Sequence, residues 1–151
     1  MNNARRVALK TTGAFATLVS LGIVTQSQAH AAMDRAGFDI KTMADAVKAL
    51  GGTAANSDQV TVVAPDIAEN GAVVPVGATS KLPNTTEIYL IVEKNPTPMA
   101  AGFKIPAGTA ADVQTRLKMG QSSNVIAVVK ADGKLFSATK ETKVTLGGCG
   151  G

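Results

Sequence analysis

The chain has 151 residues, 45% of them hydrophobic and 17% charged, with 15 Gly, 6 Pro, one Tyr and no Trp; this length fits one domain, whose core must come from Val, Ile, Leu, Ala and Met rather than from aromatic rings. The formal charge of +4 is concentrated at the start: Arg5, Arg6 and Lys10 precede every acidic residue, and without them twelve basic residues face eleven acidic ones, a net of +1. No basic stripe and almost no aromatic side chain remain, which excludes the electrostatic and the stacking routes to nucleic acid.

Residues 1–31 read as an export signal. "MNNARRVALK" is a basic leader, "TTGAFATLVSLGIVTQ" an apolar run, and "SQAHA" supplies small residues for cleavage after Ala29 or Ala31. Thr, Ser and Gly interrupt the apolar run, which is too short to span a bilayer comfortably. An N-terminal anchor helix is the competing reading, and no membrane association of the mature chain is expected. "ARRVALK" resembles the twin-arginine export motif: Arg5, Arg6, Leu9 and Lys10 match it, while Ala4 and Ala8 depart from it. That resemblance implies export of folded cargo, alone or with a partner, into the bacterial periplasm.

The stretch 32–146 reads as one domain. "GFDIKTMADAVKALGG" (37–52) places Met43, Val47 and Leu50 on one helical face with Ile40 a turn earlier, Asp39 as N-cap and Gly51-Gly52 as the stop. The spacing predicts a short packing helix. The period then changes to two. Strands are predicted over 58–65, 71–79, 85–94, 99–106, 111–119, 123–131 and 134–146, with Gly, Pro, Asn and Asp between them. In 85–94, Ile88, Leu90 and Val92 alternate with Tyr89, Ile91 and Glu93, and in the last strand Thr139, Glu141 and Lys143 mark a half-exposed face. "ADGK" (131–134) is an Asp-Gly hairpin turn, and "EKNPTPM" (93–99) a proline-stiffened one. Pro75 points to an edge strand or a bulge for 71–79. Seven short strands without intervening helices predict a mainly β fold, an immunoglobulin-like antiparallel β-sandwich with a short N-terminal helix.

Candidate chemistry is sparse inside this domain. The one histidine, His30, falls at the cleavage site, and the one cysteine, Cys149, falls in the closing "KVTLGGCGG". No His/Cys cluster has metal-ligand spacing, no nucleophile–base arrangement can be assembled from these residue types, and neither a Walker A loop nor a dinucleotide fingerprint is present. No metal, no cofactor and no catalytic residue is expected, and a self-sufficient enzyme is not.

Attention therefore turns to Cys149. With no second cysteine it cannot form an internal disulfide, although the expected compartment is oxidising. Gly147, Gly148, Gly150 and Gly151 flank it, and residues without a Cβ open most of backbone space. Five extended residues reach roughly 16–18 Å, or ~12 Å as a coil, far enough to take a thiol into a narrow cleft on another protein. No Lys, Arg or His lies within five residues of it. An unperturbed thiol is only ~3% thiolate at pH 7, so this cysteine suits a handle that other enzymes act upon better than a catalyst. Terminal tails of no consequence are the plain alternative.

The export signal, the strand pattern and the glycine–cysteine tail together resemble the SoxY family, the substrate carriers of the periplasmic sulfur-oxidising (Sox) system. The resemblance rests on "RRVALK", "VEKNPTPMAAGFKIP" (92–106), "QTRLKMGQSSNVIAVVKADGKLFSATKETKVTLGGCGG" (114–151) and the helix near 37–50. It implies covalent attachment of sulfur intermediates to Cys149 and a flexible arm made by Gly147, Gly148, Gly150 and Gly151. It also implies a heterodimer with a SoxZ-like subunit, and transient visits to the c-type cytochrome SoxXA, the hydrolase SoxB and, where present, SoxCD. Two readings stay open beside it: a SoxY-like carrier serving another periplasmic oxidation pathway, and a β-sandwich binding module crosslinked to a partner through Cys149.

Overall fold

The structure, a computed structural model, describes residues 36–145. A 3-10 turn at Ala36–Asp39 leads into helix α1, Met43–Ala49. Nine strands follow: β1 Ala55–Asn56, β2 Val60–Val63, β3 Ile67–Ala68, β4 Val74–Ser80, β5 Thr85–Val92, β6 Met99–Lys104, β7 Asp112–Leu117, β8 Ser123–Ala131 and β9 Lys134–Val144. All seven strands expected from the alternation are present. The two-residue strands β1 and β3 carry no periodic signal and were not expected.

The helix begins at Thr42, not at Asp39. Thr42 has extended backbone angles, accepts the Asp45 amide on Oγ1 at 3.2 Å and donates that hydroxyl to Asp45 Oδ2 at 2.7 Å. This reciprocal cap satisfies an orphan helix donor, whereas Asp39 is spent in the preceding 3-10 turn. Gly51 and Gly52, both at positive φ, end the helix as expected.

The strands form two sheets. The larger runs β1-β9-β8-β5-β6, with β3 also on β9; the smaller runs β2-β4-β7. Most pairings are antiparallel, and the sheets pack as the expected immunoglobulin-like sandwich. The exceptions are the short bridges of β1 and β3 to β9, which are parallel. Asp132 and Gly133 both take positive φ in the β8–β9 hairpin, as the Asp-Gly signal requires.

Burial explains the order. β8 reads Asn-Val-Ile-Ala-Val-Val without a polar interruption after Asn124, and it lies at the centre of the larger sheet. Val125, Ala127 and Val129 face the smaller sheet, joining Ile88, Leu90 and Val92 from β5 and Val74, Val76 and Ala78 from β4 in the main core. Ile126 and Val128 face the other way, where with Ile91 and Leu135 they pack beneath Met43, Val47 and Leu50 of the helical segment. A strand buried on both faces loses the polar alternation, and α1 is the cover that makes this possible.

Pro75 corrects one expectation. β4 is the central strand of its sheet, between β2 and β7, and it is not bulged at the proline. The register with β2 stops at Gly77, so on that side Pro75 has no neighbour awaiting an N–H. Only this local end of a central strand tolerates it.

One buried group lacks a partner. Thr142 on β9 is fully buried, opposite Ser123 of β8, and among the described residues its Oγ1 makes no hydrogen bond. A buried hydroxyl without a partner costs about 1–3 kcal/mol. Thr142→Val, nearly the same shape without the hydroxyl, is therefore expected to stabilise the domain by about 1 kcal/mol, read as a rise in thermal midpoint.

Candidate functional site

Cys149, its flanks Gly147, Gly148, Gly150 and Gly151, and the export residues Arg5 and Arg6 lie outside the described residues. What the structure places is the ground from which the cysteine-bearing segment departs: Val144 and Thr145, at the end of β9. Cys149 follows Thr145 by four residues, so its Cα lies within about 14 Å of that of Thr145 whatever path the backbone takes.

This root is fastened from two sides. On one side stands Ser122, just before β8. Its Oγ accepts the Val144 amide at 2.9 Å and donates to the Val144 carbonyl at 3.4 Å. On the other side runs β3, where the Lys143 amide donates to Asp66 O at 2.9 Å and the Thr145 amide to Ala68 O at 3.1 Å. Asp66 also pairs its carboxylate with Lys140 Nζ at 3.0 Å, a largely exposed ion pair of small worth. The backbone bonds and the Ser122 bridge carry the anchoring.

Gly71 closes the root from a third direction. A Cβ there would stand 2.5 Å from Met119 O and 2.9 Å from Cγ1 of Val144, closer than atoms can approach. The Met119 amide donates to Gly71 O at 2.7 Å, so the turn before β4 and the end of β7 press together against Val144.

Two neighbouring loops are tied to each other. Asn95, in the β5–β6 turn, donates Nδ2 to Lys118 O at 2.7 Å and accepts the Gly120 amide on Oδ1 at 3.2 Å. Lys94 N donates to Ser123 Oγ at 3.0 Å, and Asn124 Nδ2 to Glu93 Oε2 at 2.8 Å. The "EKNPTP" turn, identified in the sequence only as stiff, is thus a clasp between the β5–β6 and β7–β8 loops at the pole where β9 ends. No single residue type announces this clasp; it exists because Asn95 and Lys118 meet across 23 positions of chain.

The cavities lie elsewhere. An apolar groove of about 540 Å³ runs between α1 and the larger sheet, lined by Met43, Val47, Ala54, Ile126 and Val128 among others; a second, of about 440 Å³, opens at the pole of the β8–β9 turn beside Lys81 and Thr85. Neither lining includes an Asp, Glu, His or Cys. Among the described residues no three His, Cys, Asp or Glu side chains gather as a metal site, and no helix is long and apolar enough to cross a membrane.

Two packed sheets with a last strand held on both sides define a β-sandwich module. Comparison with known proteins agrees. The family model for the sulfur oxidation protein SoxY matches residues 46–149. The solved structure of the sulfur carrier protein SoxY from Chlorobium limicola f thiosulfatophilum matches at 38% identity, covering 68% of this chain and 94% of that one, with a TM-score of 0.61. This chain belongs to the SoxY family. A structure of the bacterial superantigen toxic shock syndrome toxin-1 is similar at 10% identity and a TM-score of 0.41, covering 57% of this chain and 99% of that one, too slight a likeness to bear on either fold or function. No curated protein sequence matches.

The root can be tested apart from the thiol. Gly71→Ala is expected to destabilise the domain by about 2–3 kcal/mol through the enforced displacement of Met119 and Val144. Ser122→Ala leaves the Val144 amide to compete for water and is expected to cost about 1 kcal/mol. In Ser122→Ala, hydrogen exchange should rise selectively at Val144 and Thr145; uniform exchange across β9 would show that Ser122 does not hold the root.

Proposed function

We propose that this chain is a covalent carrier of sulfur intermediates in periplasmic thiosulfate and sulfur oxidation, with Cys149 as the attachment point. One observation carries the reading: the family match runs through the sandwich and ends on Cys149, the one cysteine of the chain. The anchored root at Val144–Thr145 supports it, since a thiol passed between enzymes needs a fixed origin.

The chemistry follows from a thiol on a leash. A c-type cytochrome of SoxXA kind joins thiosulfate to Cys149: the thiol loses its proton, an S–S bond forms, and two electrons pass to the haem protein, leaving Cys-S-S-SO₃⁻. A SoxB-type hydrolase then attacks the sulfonate sulfur with water, breaks its bond to the sulfane sulfur and releases sulfate, leaving a persulfide on Cys149. Where a SoxCD-type enzyme is present, it oxidises that remaining sulfur. The carrier's own part is retention and delivery. Tethering keeps a reactive persulfide from diffusing away and raises its concentration at each enzyme in turn. Glycine flanks admit the thiol to a narrow cleft that bulkier neighbours would block.

The protein acts as the partner of a SoxZ-like subunit in a heterodimer and meets its enzymes transiently. Export through the twin-arginine route, directed by Arg5 and Arg6, places it in the periplasm and permits pairing before translocation.

Intact-mass measurement on protein from thiosulfate-grown cells is expected to show sulfur adducts that map to Cys149. Cys149→Ser is expected to abolish thiosulfate-dependent sulfate formation while leaving the thermal midpoint unchanged. Adducts on no residue, with normal oxidation in the variant, would sink the proposal. For export, the double substitution Arg5→Lys and Arg6→Lys is expected to leave the protein in the cytoplasm, scored by cell fractionation; undiminished periplasmic protein would rule out the twin-arginine route.

A further inference from the structure

The exposed large hydrophobic side chains among the described residues are Val63, Ile67 and Val73. All three belong to the crossover from β2 through β3 to β4, the same stretch that fastens the arm root. Ile67 stands in register with Lys143, beside the bonds that Asp66 O and Ala68 O accept from β9. Val73 follows the Asn70–Ala72 turn, whose Gly71 packs against Val144. Ile67 is 59% exposed and Val73 51% exposed, whereas Ala68 and Val74, adjoining them in sequence, are buried in the core. The two side chains therefore face solvent, one on the strand that pairs with the end of β9 and one two residues after the glycine that packs against Val144.

Isolated exposed apolar residues need no explanation. Their confinement to the segment around the root does, because the reach of Cys149 limits where a partner can sit. With at most about 14 Å between Thr145 and Cys149, an enzyme that draws the sulfur into a buried active centre must bring the rim of its cleft down onto the surface around Val144 and Thr145. On one side that surface is the crossover; on the other it is Ser122 with the clasped β5–β6 and β7–β8 loops, which among the described residues carry no exposed large hydrophobic side chain. A reach this short leaves no gap for a second, remote footing to serve instead.

We infer that Ile67 and Val73 form an apolar collar on which the cleft rim of the adduct-processing enzymes docks, so that one segment of chain both anchors the arm and registers it against each active centre. The inference rests on the carrier reading above. Two half-exposed aliphatic side chains make a small footing. They suit an encounter that must end after each step, and their lack of charge or directional bonding suits rims of differing sequence. The residues act by positioning, since neither touches the reacting sulfur.

The test uses the full chain paired with its second subunit, loaded with thiosulfate on Cys149, as substrate for the sulfate-releasing hydrolase. The double variant Ile67→Thr with Val73→Thr keeps branched side chains on exposed positions, so the fold is retained. Its KM as a carrier substrate is expected to rise about tenfold with kcat little changed, while the rate of Cys149 alkylation by iodoacetamide stays that of the parent. Lys81→Ala serves as control. Lys81 lies near Asn84, which bonds Asp132 at the β8–β9 turn, and β9 separates that turn from the root by roughly 34 Å. Unchanged KM in the double variant overturns the collar, as does an equal rise for Lys81→Ala. So does loss of the second subunit from the double variant on size exclusion, which would assign the collar to that subunit. Sulfate release from a Cys149→Ser carrier is a separate outcome: it would defeat the carrier reading itself.

Discussion

The end of β9 is fixed by a pair of opposed clamps on Val144 and Thr145, and the proposed carrier role depends on that fixed point. Ser122 takes both polar groups of Val144, and β3 takes the amides to either side of it. Without these bonds the last turn of β9 would fray, as strand ends do when unpaired. The last residue held in the sheet would then retreat from Thr145 toward Thr142. Because the span of a chain rises with its length and its effective concentration falls steeply, on the proposed carrier reading a loosened root would weaken delivery even with the thiol untouched. The rest of the fold can be read as support for that corner. β8 must lie centrally so that Ser122 stands beside the end of β9, and β3 must cross from the smaller sheet so that Asp66 and Ala68 stand on the opposite side.

Much of this architecture was legible in the residues, for reasons that can be named. The alternation of Ile88, Leu90 and Val92 with Tyr89, Ile91 and Glu93 marked β5 as a strand, because a strand offers only two faces; Ile88, Leu90 and Val92 pack into the main core and Ile91 into the second cluster. The Asp132-Gly133 turn was readable because both positions need positive φ and few residue pairs supply it. The helix was readable from Met43, Val47 and Leu50, but its first residue was not. Asp39 and Thr42 are both good caps in isolation, and the choice fell to Thr42 because Asp45 lies three residues on to complete a reciprocal pair.

The unread parts share one property: each depends on chain segments far apart. Pro75 points to an edge strand or a bulge because a proline in a central strand removes a ladder bond, and that argument is sound for a full-length neighbour. It missed that β2 ends opposite Gly77, a fact about the length of another strand. β1 and β3 are two residues each and owe their form to β9, not to their own composition. The proposed attachment point, Cys149, was legible as a lone cysteine among glycines. Its anchor was not, since Ser122 meets Val144 across 22 positions and nothing near either residue marks the meeting.

The same division shapes the stability of the molecule. A core of Val, Ile, Leu and Ala is close-packed but light, and losing even one methyl in such a core is felt. A fold of this kind should hide every large aliphatic side chain it can. Yet Ile67 and Val73 stay in water next to the root, and Thr142 keeps an unmatched hydroxyl in the interior two residues from Val144. Ile67 stands in register with Lys143 near the end of β9, and Thr142 lies three residues before Thr145. Departures from good packing in a domain otherwise consistent from helix cap to hairpin turn are where a function is to be sought; here they are Val63 on β2, Ile67 and Val73 on the crossover, and Thr142 on β9.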